Sequence, residues 1–104
     1  MRNRVLQMLG IAAKSGNVVS GEFSTEKAVK SGKAYLVIVS EEASDNTLKM
    51  FTNMTDFYEV PMHVFGTKDE LGRCIGKQFR ASLAITDENL ANAVVSKIEH
   101  AKQL

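Results

Sequence analysis

The chain has 104 residues, 44% of them hydrophobic and 24% charged, with a net charge of +1. This length fits one domain, residues 1–104, and the composition excludes an intrinsically disordered chain. No apolar run approaches membrane-spanning length and no signal-peptide core follows Met1-Arg2-Asn3-Arg4, so a soluble, cytoplasmic protein without membrane contact is expected.

Residues 3–14 read as an amphipathic helix, with Val5, Leu6, Leu9, Ala12 and Ala13 on one face and Arg2, Arg4 and Lys14 towards its ends. Lys14-Ser15-Gly16-Asn17 is a helix stop. The β-branched pair Val18-Val19 predicts a brief strand. Ser20 is then placed to cap a second helix, from about Gly21 to Ser31, closed by Gly32. The apolar run Tyr35–Val39 predicts a strand covered on both faces, ending at Ser40-Glu41-Glu42. Residues 43–58 show helical spacing through Leu48, Phe51, Met54, Thr55 and Tyr58. Val60–Phe65 reads as another strand, with Pro61 near its start, where a missing amide donor costs least. Thr67-Lys68-Asp69-Glu70 is a capping box opening a short helix. Leu83-Ala84-Ile85 is a last strand. Asp87 caps a final helix whose buried face is Leu90, Ala93, Val94, Ile98 and Ala101. Strict alternation of helix and strand implies an α/β protein built as a three-layer α/β/α sandwich.

The near-neutral total hides a pattern. Residues 1–34 carry six basic and two acidic side chains, residues 35–65 one and five, and residues 66–80 four and two. Two basic segments brought together by folding form a patch; kept apart, they merely solvate helices.

The side chains for catalysis do not assemble. Leu71-Gly72-Arg73-Cys74-Ile75-Gly76-Lys77 lacks the spacing of a phosphate loop, and no Ser or Thr follows its lysine. His63 and His100 fall in different elements without a second ligand at metal-site spacing. A single cysteine, Cys74, excludes an internal disulfide and reads as a small apolar residue. Glu41-Glu42 reads as a solvated turn. The expectations are no catalytic residue, no metal and no cofactor.

Three stretches, taken together in order and spacing, carry a resemblance. They are Val18-Val19-Ser20-Gly21-Glu22 leading to Lys27-Ala28-Val29-Lys30-Ser31-Gly32; Leu36–Ser44 with Asn46-Thr47; and Val60-Pro61 followed by Leu71–Lys77. Over nearly its whole length the chain resembles the ribosomal-protein family of kink-turn RNA binders, most of all its small bacterial members. The resemblance implies an α/β/α sandwich with a four-stranded mixed sheet. It also implies a non-catalytic function, in which the start of the second helix enters a widened RNA groove beside sheared G·A pairs. A second loop, before and within the fourth helix, then covers an extruded nucleotide. The partner implied is structured RNA, with ribosomal RNA as a candidate.

Carried over by residue, the family lysine is matched by Lys27 and the opening glycine by Gly21 or Glu22. The Asn-Glu pair that reads guanine falls at Phe23 and Ser24, so affinity there leans on Lys27 and helix-start amides. Leu71-Gly72-Arg73 matches the second loop, where Leu71 and Ile75 are expected to offer an apolar platform. Lys30 is expected to face the same side as Lys27, with Lys33, Arg73, Lys77 and Arg80 extending the patch. The expected RNA-binding set is Gly21, Glu22, Phe23, Ser24, Lys27, Lys30, Leu71, Gly72, Arg73 and Ile75. The rival expectation is a protein-interaction module of the same fold with weak or nonspecific RNA binding. An enzyme fragment is a more distant rival.

Overall fold

A computed structural model describes residues 2–102, and side chains from 4 to 101. The Arg2 side chain, counted above among the N-terminal basic residues, lies outside the described set. Along the chain run α1 (Arg2–Lys14), β1 (Val18–Ser20), α2 (Glu22–Lys30), β2 (Leu36–Val39), α3 (Asp45–Phe57), β3 (Met62–Val64), α4 (Lys68–Cys74), β4 (Ser82–Ile85) and α5 (Glu88–Lys102). The alternation and all nine elements match the sequence reading. The strands form one mixed sheet in the order β1-β4-β2-β3. β4 runs antiparallel to both β1 and β2, and β2 runs parallel to β3.

The two inner strands are buried at every position, as their continuous apolar sequence requires. Their alternate residues face opposite layers. Leu36, Ile38, Leu83 and Ile85 pack with Val5 and Leu9 of α1, Leu71 of α4, and Val94 and Ile98 of α5. Val37, Val39 and Ala84 pack with Ala28 and Val29 of α2 and Phe51 and Met54 of α3. One two-sided sheet therefore serves two separate cores, which is the three-layer sandwich.

Some boundaries move. Tyr35 precedes β2 and is 42% exposed, and Tyr58 follows α3 at 41%, so neither belongs to a buried face. Ser44, expected inside the third helix, is its N-cap, accepting from the Thr47 amide at 3.1 Å. The wholly buried alanine of α5 is Ala91, with Ala93 only half-buried, because the face rotates towards α1. The Thr67–Glu70 capping box and the Asp87 cap form as expected.

The register places the ends of β1, β2 and β3 and the beginning of β4 at one end of the sheet, since Ser20 pairs with Leu83, and Val39 with Ser82 and Val64. The N-termini of α2, α3 and α4 all rise from that end, the usual place for a ligand on an α/β sheet.

Candidate nucleic-acid interface

Gly21 opens α2 with φ 91° and ψ 159°, a conformation essentially confined to glycine. It, rather than Glu22, therefore fills the glycine position. Its amide donates to the Ser82 carbonyl at 2.9 Å, which pins the start of α2 to β4. One turn on, Thr25 is fully buried and accepts from the Ser82 hydroxyl at 3.4 Å. The Thr25 amide returns to the Gly21 carbonyl, but the amides of Glu22, Phe23 and Ser24 meet no acceptor among the described residues. Three N–H donors at the positive end of a helix are a ready anion site.

Ser20 does not cap this helix. It is the last residue of β1, and its hydroxyl accepts from Arg80 Nε at 3.0 Å. Arg80 thereby ties the 76–82 segment to the start of α2. Its own amide donates to the Lys68 carbonyl at 3.1 Å, so this residue links the openings of α2 and α4.

The ten expected residues divide into two groups. Glu22 and Phe23 are exposed at the first turn of α2, Phe23 at 77%, and Ser24 is half-buried behind them. Lys27 is exposed one turn later, with no carboxylate partner among the described residues. Lys30 is also exposed, but its ammonium lies 2.7 Å from Glu26, which raises its pKa.

The α4 group corrects the sequence reading. Leu71 is fully buried in the core and presents no platform to a base; Ile75 is half-buried against that core. Helical spacing placed them on one face correctly, but that face turns to the sheet. Gly72 is buried: a Cβ there would sit 1.7 Å from the Gln78 carbonyl oxygen. Its role is to let the 77–79 segment lie directly on α4, where the Lys77 amide donates to the Gly72 carbonyl at 2.8 Å. Arg73 is exposed and paired with Asp69 at 3.2 Å.

The apolar surface expected at Leu71 is carried instead by Phe79, 68% exposed between Gln78 and Arg80. Sequence reasoning passed over this residue. The available signal was an aromatic beside basic residues in a loop, the composition of a base-stacking platform.

Cys74 donates to the Leu71 carbonyl at 3.2 Å, and burial pushes its thiol up to about 11. Burial therefore disfavours the thiolate, the reactive form of a cysteine. Among the described residues no group of three candidate ligands could hold a metal ion, and no helix is long and apolar enough to cross a membrane.

Known proteins share this fold and much of this sequence. Residues 3–95 match the model of the ribosomal protein L7Ae/L30e/S12e/Gadd45 family. The RNA-binding protein YlxQ of Bacillus subtilis is 38% identical over 92 residues, covering 88% of this chain and 92% of that protein. The large ribosomal subunit protein eL30 of Neurospora crassa is 40% identical over 85 residues, covering 76% and 74%. A Bacillus halodurans protein of unknown function superposes with a TM-score of 0.89 at 33% identity, covering 91% of this chain and 96% of that one. The chain belongs to the L7Ae/L30e/S12e/Gadd45 family.

Proposed function

We propose that this family member is a non-catalytic RNA-binding protein that recognises kink-turn-like structured RNA, with ribosomal RNA as the leading target, through the start of α2. The carrying observation is the open helix start. Of α2 to α5, α2 alone has no side chain accepting from its first amides. Lys27 and Arg80 flank it without carboxylate partners among the described residues. Phosphate oxygens fit the amides and cations, and the exposed Phe79 suits an unpaired base. The RNA-binding and ribosomal relatives support this reading.

One observation favours a protein-interaction module instead. Phe57, the last residue of α3, is 79% exposed and packs edge-on against Tyr58, ring centres 4.9 Å apart, at the opposite end of its helix from the ligand-facing end of the sheet.

A salt titration separates the two. One RNA carries a kink-turn with sheared G·A pairs; its twin has Watson–Crick pairs there. Shape recognition predicts a preference of about tenfold, or ~1.4 kcal/mol, that survives physiological salt. Equal binding that fades as salt rises overturns the proposal in favour of the interaction module.

A further inference from the structure

A groove of about 300 Å3 runs along the flank of α2 over the open edge of the sheet. No residue of the 76–82 segment lines it, so it is separate from the Phe79 surface. Phe23, Ser24, Lys27 and Ser31 follow one another along α2 at helical spacing as one wall. Lys33, just after α2, and Thr86, just after β4, also line it. Val19, on edge strand β1, and Ala28 add apolar lining.

Charge is distributed unevenly around this groove. Lys27 and Lys33 have no carboxylate partner among the described residues, whereas Lys30 is neutralised by Glu26. A large exposed aromatic therefore lies beside two free cations and a few hydroxyls. That combination matches one nucleotide: a base with a π face, and a phosphate. Phenylalanine offers no hydrogen bond, so the surface accepts any base by stacking.

Building on the RNA-binding reading, we propose that this groove takes an unpaired nucleotide of the bound RNA, its base against Phe23 and its phosphate between Lys27 and Lys33. The protein then holds its RNA on both flanks of α2. Stacking by Phe23 stands where hydrogen bonding to paired guanines is missing.

The chain has no tryptophan, so F23W supplies a single fluorescent reporter at the groove. An RNA with unpaired nucleotides next to its bend should quench that reporter, and a fully paired duplex should not. Phe23→Ala should weaken binding to the first RNA about tenfold and leave the duplex unchanged. Lys33→Ala should lower the salt slope by about one. Phe23 is exposed, and unchanged circular dichroism confirms that its variants fold. An unquenched F23W reporter, with wild-type affinity in Phe23→Ala while Lys27→Ala still weakens binding, overturns the groove and leaves the α2 site standing. If Lys27→Ala also has no effect, the RNA-binding reading falls with it. Quenching by a free nucleoside monophosphate at the same concentrations as the RNA overturns the proposal in favour of a small-molecule ligand.

Discussion

The starts of α2 and α4 lie at the same end of the sheet, each just after a strand, yet they treat their free amides in opposite ways. At α4 the chain satisfies them itself. Thr67 accepts from the Glu70 amide at 3.0 Å, Glu70 from the Thr67 amide at 2.9 Å, and Glu42 from the Lys68 amide at 2.9 Å. The carboxylates of Glu42, Asp69 and Glu70 then surround a helix end that repels anions. At α2 a glycine takes the cap position, and three amides find no acceptor, beside two cations with no carboxylate partner, among the described residues. Capping contributes to stability, and its omission leaves a place for phosphate. Changes at α4 should therefore register in stability, and changes at α2 in binding.

The largest effect is expected where α4 supports the 77–79 segment. Gly72→Ala puts a methyl into the Gln78 carbonyl, so the loop must move. It should cost about 3 kcal/mol or more by overpacking, lowering the Tm by roughly 10 °C or more, and RNA affinity should fall with the displaced Phe79. A thermal melt within a few degrees of wild type would remove the argument for Gly72.

The contrast itself rests on a pair of variants. Lys27→Ala should weaken RNA binding about tenfold, ~1.4 kcal/mol, while urea unfolding moves by less than about 0.5 kcal/mol. Thr67→Ala should do the reverse, losing about 1 kcal/mol of stability with RNA affinity unchanged below the melting range. Equal effects of both variants on both measurements would break the division.

A chemical probe tests the other end of α4. Because burial pushes Cys74 up to about 11 from an ordinary 9.0, its alkylation at pH 8 should run on the order of a hundredfold slower in the folded chain than in urea. The folded rate should keep rising towards pH 11, since only the thiolate reacts. Equal rates in folded and unfolded protein at pH 8 would show that this turn is open.

What the sequence revealed and what it hid divide along a physical line. The apolar run of β2 and the Thr67 capping box are local patterns, and both were legible. Ser20 was misread because a hydroxyl before a helix looks the same whether it caps or accepts from a distant donor; its partner, Arg80, lies 60 residues away. Glu42 looked like a solvated turn because the helix it caps begins 26 residues later. Leu71 was placed on a correct apolar stripe, but periodicity does not say which way a stripe faces. Phe79 is exposed on a segment whose backbone lies against Gly72, an approach that no short motif encodes.

The strand order has a consequence for the protein during its synthesis. β1 and β2 are consecutive in sequence but not neighbours, because the last strand, β4, slots between them. Ser20 and Arg80, which close the interface, are 60 residues apart. At about 5–20 residues per second, the ribosome needs on the order of 3–12 s to span that interval. Throughout it the nascent chain carries Lys27 and the sequence of α2, but lacks the strand that aims them. The pairing of β4 between β1 and β2, and the Ser20–Arg80 contact, therefore form late in synthesis.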